Sequence, residues 1–444
     1  MKVIIVGGVA AGMSAASKIR RTKYNSNVVV YERGETLSYG ACGMPYYIGD
    51  EIKDHKKMIA RSKEAFEKMG ITVHIKHEVI DIDENNKTVE VKDLETGTIK
   101  QDKYDKLLIA TGASPFIPNW KGVDVSNVYV LSTLEDAMRI KEQVQKDDIK
   151  KVGIIGAGFI GVELVEAMLG LDKHVTLIEF KNQILPQFDK EMVIPLQNEL
   201  TNKGVNLKLS EKVLGFEGNQ TVNKIVTDKN SYEVDMVIIS VGVRPNTSFL
   251  KNTNVRLEKN GAVIVNKEMK TNVPDIYAAG DCATVYHRVL DSMNAYIPLG
   301  TNANKQGKLV GSIICGKKMK FNGALGTSMI KVCDMEGAKT GLSEREAILN
   351  NFNYKAITVK ASNHASYYPN PKPIHIKLVY DVDTKKILGA QLIGYEGAAI
   401  RVDIFALAIH TEMTTDELGM VDFGYAPPFA GVWDAVHIAC NAVK

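Results

Sequence analysis

Short apolar runs near the amino terminus alternate with glycines and small residues. The run VIIV at 3–6, the glycines after it and the alanine-rich segment up to residue 21 predict a strand, a tight turn and a helix. A second apolar run at 28–31 predicts a strand that ends at Glu32. The same order returns at 151–179, where the second strand ends at Glu179. The chain therefore contains two copies of one strand–turn–helix–strand unit.

The second copy carries the glycine spacing of a dinucleotide-binding turn. In GAGFIG, Gly156 allows the tight turn, Gly158 lets backbone approach a pyrophosphate, and Gly161 lets helix and strand pack closely. The acid that would bind ribose hydroxyls, Glu179, follows about 20 residues after the turn, as this layout requires. In the first copy Gly7 and Gly12 hold the outer positions. Two such units predict two bound dinucleotides.

Two further glycine-containing segments follow predicted strands. LLIATGASP is an apolar strand that ends at Thr111 and Gly112, as expected where the chain crosses between domains. The segment YAAGD ends at Gly280 and Asp281. A carboxylate there accepts hydrogen bonds from polyol hydroxyls, and glycine leaves space for them.

The pattern changes from about residue 321. Two apolar runs, at 373–381 and 385–394, surround a turn and predict antiparallel strands, and the stretch 397–413 predicts an amphipathic helix within it. No glycine fingerprint occurs there. We expect a third domain that serves packing or dimerisation.

Composition narrows the function classes. The chain has 444 residues, 45% of them hydrophobic, and a net charge of +3, which indicates a globular protein without an evident nucleic-acid partner. No run of about 18 apolar residues predicts a membrane-spanning helix. The five cysteines are widely spaced and have no zinc-ligand spacing, so neither a metal site nor a disulfide framework is expected. A reducing cytoplasm is the expected location.

One of these cysteines has an unusual setting. Cys42 stands between glycines in SYGACGMPYYIGD, where a loop is predicted to change into a helix. An isolated cysteine is by default a small buried core residue. The alternative is a redox-active thiol, whose partner must then come from outside this segment.

The ordered set of motifs resembles the pyridine nucleotide-disulfide oxidoreductases, and within them the single-cysteine branch. GGVAAG with Glu32, ATG at 110–112, GAGFIG with Glu179, and YAAGD occur in the order of that family. Three segments, SYGACGMPYYIG, SYYPNPKP and YAPPF, are most similar to bacterial coenzyme A-disulfide reductases. The resemblance covers essentially the whole chain.

This resemblance implies an α/β fold with two Rossmann-like dinucleotide-binding domains, for FAD and NAD(P)H, and a carboxy-terminal α+β dimerisation domain. The expected boundaries are 1–115 and 245–320 for FAD, 116–244 for NAD(P)H, and 321–444 for dimerisation. A homodimer is implied, with neither membrane nor nucleic acid as partner.

The family also implies the chemistry of Cys42. Members with two redox cysteines have them five positions apart, and here that position holds Tyr47. The redox partner of the sulfur would therefore be a substrate thiol or an oxygen atom in a sulfenic acid, and the resemblance implies a mixed disulfide with coenzyme A. Two family tyrosines protonate leaving thiolates. One of them matches Tyr425, and the other matches Tyr367 or alternatively Tyr368.

The implied binding residues fall into two sets. The nucleotide-binding set is Gly7, Gly12, Glu32, Thr111, Gly112, Gly156, Gly158, Phe159, Gly161, Glu179, Gly280 and Asp281. The coenzyme A phosphates would meet Lys18, Arg21, Ser38 and Arg61. We expect NADH to be preferred because Glu179 repels a 2′-phosphate, and NADPH to be tolerated because Lys181 is close by.

Departures from the family pattern keep other functions open. Ala41 replaces an asparagine that often precedes the cysteine, and Phe429 replaces the last tyrosine of YAPPY. NADH oxidases and peroxidases carry a histidine where this chain has Ala10, which argues against peroxidase chemistry. Polysulfide or persulfide reduction is a third option. A non-catalytic flavoprotein that senses redox state through partners is a fourth.

Overall fold

The computed structural model describes residues 1–23 and 25–444 and divides the chain into two compact units. The first unit comprises residues 1–116, 131–139 and 242–324. The second comprises residues 117–130, 140–241 and 325–444. The three-domain boundaries expected from the sequence stay a prediction.

The elements of the described residues alternate between strands and helices. The strands are β1 (Lys2–Val6), β2 (Asn27–Tyr31), β3 (Ile71–His74), β4 (His77–Asp83), β5 (Thr88–Asp93), β6 (Ile99–Lys103), β7 (Lys106–Ile109), β8 (Ala113–Pro115), β9 (Val128–Val130), β10 (Lys151–Ile155), β11 (His174–Glu179), β12 (Asn206–Leu209), β13 (Val213–Glu217), β14 (Lys224–Thr227), β15 (Ser231–Glu233), β16 (Met236–Ile239), β17 (Val243–Pro245), β18 (Ile276–Ala278), β19 (Val285–His287), β20 (Ser292–Ala295), β21 (Ser328–Val332), β22 (Met335–Gly341), β23 (Tyr354–Ser362), β24 (Pro373–Asp381) and β25 (Ile387–Gly394). The α-helices are α1 (Ala10–Thr22), α2 (Met44–Ile48), α3 (Lys63–Lys68), α4 (Leu134–Val144), α5 (Phe159–Gly170), α6 (Lys190–Asn202), α7 (Gly300–Ile314), α8 (Glu344–Leu349), α9 (Val402–His410), α10 (Thr415–Leu418) and α11 (Ala435–Asn441). Short 3-10 turns cover Ala41–Gly43, His55–Met58 and Ser248–Leu250.

The first unit is built on a parallel sheet with strand order β18-β7-β1-β2-β3. Its central strands are apolar almost throughout, as expected for a parallel sheet that is covered on both faces. Helix α1 packs in parallel along α7, and a Cβ on Gly307 would lie 2.1 Å from the Ala11 carbonyl oxygen. The close approach of these two helices therefore depends on glycine at 307.

Among the described residues, the second unit contains three sheets, one of them the small antiparallel sheet β13-β14-β15. A parallel sheet with order β12-β11-β10-β16-β9 repeats the architecture of the first unit. An antiparallel sheet with order β21-β22-β25-β24-β23 follows it along the chain. Helices α5 and α6 of the parallel part contact this antiparallel sheet, where Lys203 pairs with Asp334 at 2.6 Å.

The fold class expected from the sequence is confirmed, since two Rossmann-like sheets are followed by an α+β part. The predicted strands at 373–381 and 385–394 appear as β24 and β25. The helix predicted within 397–413 is α9, which begins at Val402. Gly397 has a φ of +87°, a left-handed conformation that does not belong in an α-helix, so the helix cannot include the first residue of the predicted stretch.

Candidate active site and nucleotide-binding turns

The turn between β1 and α1 leaves no room for side chains. Gly7 has a φ of +108°, and a Cβ there would lie 2.1 Å from the Ala110 carbonyl oxygen. The Gly7 amide donates to the Tyr31 carbonyl at 2.8 Å. A Cβ on Gly12 would lie 1.9 Å from the Gly7 carbonyl oxygen. Only glycine fits at both positions.

Glu32 faces this turn from the end of β2. Its carboxylate accepts hydrogen bonds from the amides of Gly8 at 2.6 Å and Gly34 at 2.7 Å. A Cβ on Gly8 would lie 2.5 Å from the Leu37 side chain. Sequence reasoning missed Gly8, although the doubled glycine at 7–8 was an available signal. The two amides hold the acid where a ribose would reach it.

The turn between β10 and α5 has the same geometry. Gly156 has a φ of +98°, and its Cβ would lie 2.2 Å from the Ser240 carbonyl oxygen. Its amide donates to the Ile178 carbonyl at 2.8 Å. A Cβ on Gly161 would lie 1.9 Å from the Gly156 carbonyl oxygen. The two copies of the repeat therefore share one backbone arrangement.

Glu179 is held at this second turn as Glu32 is held at the first. Its carboxylate accepts hydrogen bonds from the amides of Ala157 at 2.7 Å and Lys181 at 2.8 Å. Each carboxylate oxygen can accept a further hydrogen bond, so ribose hydroxyls can still be bound. The contribution of Ala157 could not be read from its apolar side chain, because its backbone makes the bond.

The start of α5 is open. Nothing lies within 4 Å of a Cβ built on Gly158, and the Phe159 ring packs at a tilt on Phe188, with centroids 6.4 Å apart. Space beside a helix amino terminus is what a pyrophosphate requires. The two turns thus fit dinucleotides of the FAD and NAD(H) type.

Thr111 and Gly112 lie where the chain leaves β7. The Thr111 hydroxyl donates to the Asn246 carbonyl at 2.7 Å, and the Asn246 side-chain amide donates to the Thr111 carbonyl at 3.0 Å. The Asn246 amide donates to the Gly112 carbonyl, also at 3.0 Å. These contacts continue the antiparallel pair of β8 and β17. Thr111 and Gly112 therefore hold together two chain segments, the one that follows β7 and the one that follows β17.

Gly280 and Asp281 follow β18. Gly280 has a φ of +81°, and its amide donates to the Gln306 side chain on α7 at 2.7 Å. Burial raises the pKa of the Asp281 carboxyl. Among the described residues no donor is hydrogen-bonded to this carboxylate. A largely buried acceptor of this kind suits the hydroxyls of a bound polyol.

Cys42 lies in the 3-10 turn that precedes α2. None of the five cysteines, all of them in the described part of the chain, forms a disulfide, and among them Cys42 alone is exposed. Burial raises the pKa of Cys333 to about 11 and that of Cys440 to about 12, which keeps both thiols protonated. The alternative that Cys42 is a buried core residue is therefore wrong.

Backbone pairing anchors the segment before Cys42. The Ser38 amide donates to the Gly8 carbonyl at 3.0 Å, and the Ser38 carbonyl accepts from the Ala60 amide at 2.8 Å. A β-bridge joins Tyr39 to Ile59. This pairing connects the segment to the first glycine turn, and Arg61 directly follows the paired residues.

The residues that are predicted to bind the substrate phosphates lie in two places in the first unit. The Lys18 stem lies against Gly311 of α7, and Arg21 on α1 donates to the Ser17 carbonyl at 3.1 Å. Arg61 lies near the Phe66 ring, 6.0 Å from its centroid. Among the described residues, no hydrogen bond joins Lys18 or Arg21 to Arg61. Backbone pairing brings Ser38 and Arg61 into the same region.

The two candidate acids meet in the second unit. The hydroxyls of Tyr367 and Tyr425 hydrogen-bond to each other, and this bond raises the pKa of Tyr367. Both rings are exposed, at 73% and 45%. Tyr368 instead packs edge-on against the His364 ring, with centroids 5.4 Å apart. Tyr367, rather than Tyr368, is therefore the partner of Tyr425.

Large apolar side chains are exposed around the carboxy-terminal helices. Those more than half exposed are Ile400, Leu407, Met420, Phe429, Val432 and Trp433. Clusters of exposed apolar side chains are typical of protein–protein interfaces. Of the described helices, none is long and apolar enough to cross a bilayer.

Three carboxylates of the second unit lie close enough together to suggest a metal site. Oxygens of Asp189, Glu191 and Glu344 lie within 4.8 Å of one another. The Lys377 ammonium group, which is buried, pairs with all three. Lys377 therefore offsets one of the three negative charges of the cluster and contacts the oxygens that a metal ion would bind.

Comparison with known proteins defines the class. Residues 1–307 match the family described as pyridine nucleotide-disulphide oxidoreductase, and residues 327–436 match its dimerisation domain. The chain therefore belongs to this family. It is a flavoprotein oxidoreductase that binds FAD and NAD(H).

Individual relatives differ in their acceptors. The chain is 39% identical, over its full length and 98% of the relative, to an NAD(P)H sulfur oxidoreductase (CoA-dependent) of Pyrococcus abyssi. It is 33% identical to a coenzyme A disulfide reductase of Staphylococcus aureus, over 98% of each chain.

Two solved structures are similar to this chain over almost its full length. Reduced CoADR-RHD of Bacillus anthracis superimposes with a TM-score of 0.96 at 34% identity, over 99% of this chain and 79% of that one. A water-forming NADH oxidase of Lactobacillus brevis, bound to NADH, has a TM-score of 0.95 at 34% identity, over 100% and 98%.

Proposed function

We propose that the chain reduces coenzyme A disulfide to coenzyme A thiol, with NAD(P)H as reductant and Cys42 as the redox-active residue. The observation that carries this proposal is the exposure of Cys42 in a segment without a second cysteine. Its redox partner must then come from outside the segment, and a disulfide substrate can reach an exposed thiolate.

The residues of the chain divide the work. Bound FAD and NAD(P)H supply the electron pair. The Cys42 thiolate attacks one sulfur of the coenzyme A disulfide, the S–S bond breaks, and one coenzyme A leaves as thiolate. Cys42 remains joined to the other coenzyme A. Two electrons then cleave this mixed disulfide, releasing the second coenzyme A thiolate and restoring the Cys42 thiolate.

Each departing thiolate takes up a proton, and the phenols of Tyr367 and Tyr425 are the proposed donors. Their exposure supports a role at a surface that another subunit covers. The matched dimerisation domain and the exposed apolar side chains support a homodimer. In that dimer the phenol pair of one subunit would serve the Cys42 of its partner.

The phosphates of coenzyme A require cations near the entrance to Cys42. Ser38 and Arg61 are supported by the backbone pairing that anchors the Cys42 segment. Lys18 and Arg21 lie one helical turn apart on α1, where they would contact the same phosphates.

A second candidate is reduction of polysulfide or persulfide by the same cysteine. The 39% identity to a CoA-dependent sulfur oxidoreductase, against 33% to a coenzyme A disulfide reductase, favours it. Here Cys42 would attack a sulfane sulfur. Oxygen reduction requires Cys42 to cycle through a sulfenic acid, and Ala10 offers no acid–base group for that step.

The deciding experiment measures NADH consumption by the FAD-loaded enzyme with coenzyme A disulfide, glutathione disulfide, polysulfide, peroxide and oxygen as separate acceptors. Cys42→Ser and Cys333→Ser serve as a matched pair of variants. We expect the highest kcat/KM with coenzyme A disulfide, lost in Cys42→Ser and kept in Cys333→Ser. A higher kcat/KM with polysulfide would establish the second candidate, and activity independent of Cys42 would overturn both.

A further inference from the structure

Arg401 is a buried arginine that precedes α9, and its guanidinium is satisfied in several directions at once. Its side chain is 9% exposed. Nε and Nη2 donate to the Asp434 carboxylate at 3.0 and 2.8 Å, and Nη1 donates to the Gly397 carbonyl at 2.7 Å. A buried charge of this kind is stable only when it is paired and hydrogen-bonded.

The remaining bonds of this guanidinium reach two separate loops. Nη2 donates to the carbonyl of Asn363 at 2.8 Å and to that of Phe429 at 3.1 Å. Asn363 closes the base of the loop that carries Tyr367, where its side-chain oxygen accepts from the Lys372 amide at 2.8 Å. Phe429 ends the YAPPF segment, which begins with Tyr425. One side chain therefore ties together both loops of the phenol pair.

Neighbouring hydrogen bonds restrict the movement of the ion pair between Arg401 and Asp434. Asp434 caps α11 by accepting from the Val436 amide at 2.9 Å, so the carboxylate that holds Arg401 is itself fixed. His437 on the same helix bonds through Nε2 to the Val421 carbonyl at 2.8 Å. Val421 lies before the Tyr425 loop and Phe429 lies at its end. Both ends of that loop are thus held by α11 and its partner Arg401.

We propose that Arg401 is a positioning residue that sets the hydrogen bond between Tyr367 and Tyr425, and through it the proton transfer to departing thiolates. This inference rests on the proposed acid role of the two tyrosines. The phenols are exposed, so their separation depends on the bases of their loops. A displacement of about 1 Å at a reacting group lowers rates by on the order of 10²-fold.

The chemistry of arginine explains why this residue type serves here. Its planar guanidinium offers five donors in a fixed fork, and it stays charged when buried. A lysine at 401 would keep the ion pair with Asp434, but one ammonium group cannot also reach both loop carbonyls in this geometry. Arg401→Lys therefore separates positioning of the loops from charge balance.

The test follows the two half-reactions of the FAD-loaded homodimer by rapid mixing. In Arg401→Lys, we expect flavin reduction by NADH within twofold of the unsubstituted enzyme and reoxidation by coenzyme A disulfide slowed by about 10- to 100-fold. The matched control is Lys339→Gln, which breaks another buried pair of the second unit, with Glu346 at 3.2 Å. The control is expected to lower the melting temperature without slowing reoxidation. Equal slowing in both variants would overturn the positioning role.

A double-mutant cycle distinguishes the positioning role from a general effect of Arg401 on the stability of the fold. In the Tyr367→Phe/Tyr425→Phe background, Arg401→Lys should change reoxidation no further, because there are no phenols left to position. Multiplying effects would overturn the proposal. Asp434→Asn, which weakens the anchor and retains a side-chain acceptor, should give a smaller defect of the same kind, and normal reoxidation in it would count against the proposal.

Failure of this inference is distinguishable from failure of the proposed function. If the double tyrosine variant is reoxidised at the normal rate, the acid role itself is wrong. If that variant is slow and Arg401→Lys is not, the tyrosines act and Arg401 does not position them.

Discussion

The hydroxyl groups of Tyr367 and Tyr425 share a hydrogen bond although 58 residues separate them along the chain. The hydrogen bond to Tyr425 raises the pKa of Tyr367. The raised pKa keeps the Tyr367 phenol protonated near neutral pH, as a proton donor to a departing thiolate must be.

Replacing either phenol should slow one half-reaction only. In Tyr425→Phe and in Tyr367→Phe we expect flavin reduction by NADH to be nearly intact and reoxidation by coenzyme A disulfide to fall by about 10²- to 10⁴-fold, the usual contribution of a general acid. Stopped-flow absorbance of the flavin separates the two rates. Tyr368→Phe is the matched control, because Tyr368 packs on His364 instead. Parallel losses in both half-reactions would mean that the tyrosines shape the flavin site or the dimer.

Cys42→Ser should retain FAD and the fold yet lose disulfide reduction, because serine cannot form the mixed disulfide. Mass spectrometry of the unsubstituted enzyme after turnover should detect coenzyme A on the peptide that contains Cys42. Cys315→Ser is the control, since Cys315 is half-buried and burial raises its pKa. Coenzyme A attached to Cys315 instead would contradict the assignment.

Glu179 should set the nicotinamide preference. We expect a higher kcat/KM with NADH than with NADPH, because the carboxylate binds ribose hydroxyls and repels a 2′-phosphate. Glu179→Ala should lower the NADH:NADPH ratio by roughly ten- to a hundredfold, the effect of losing a hydrogen bond to a charged group. Glu217→Ala, an exposed acid of the same unit, is the control. An unchanged ratio in Glu179→Ala would show that other residues choose the coenzyme.

Glu163 should make stability depend on pH. Burial, with a smaller contribution from Glu166, raises its pKa from 4.5 to about 7. The folded state therefore binds more protons than the unfolded state between these values, and stability is lost as pH rises through 7. Glu163→Gln removes this penalty, which is on the order of 3 kcal/mol.

The measurement compares melting temperatures of the FAD-loaded enzyme at pH 5 and pH 8. Glu163→Gln should gain stability relative to the unsubstituted enzyme at pH 8 and little at pH 5. Glu142→Gln replaces an exposed acid, and its effect on the melting temperature should be the same at both pH values. A gain for Glu163→Gln that is equal at the two pH values would mean that burial of its charge is not the cause.

Local periodicity determined much of the architecture. The spacing of Gly156, Gly158 and Gly161 and the acid at 179 predict the second turn because each feature acts through nearby backbone. Close approach of a helix to its own preceding strand requires glycine wherever it occurs. The β24 and β25 strands were likewise predictable, since the apolar runs that form them bury a continuous surface.

The arrangement of the candidate site was decided by contacts between distant segments. Nothing in the spacing of Tyr367, Tyr425 and Arg401 predicts that one guanidinium ties both tyrosine loops, because the bonds involve backbone carbonyls, which every residue carries. The pairing of Ser38 with Ala60 could not be predicted from the sequence either, because it also joins backbone groups. Side chains at such positions follow no period, and only the packed chain brings their loops together. The sequence alone therefore named the phenols, and the tertiary structure decided which two of them meet.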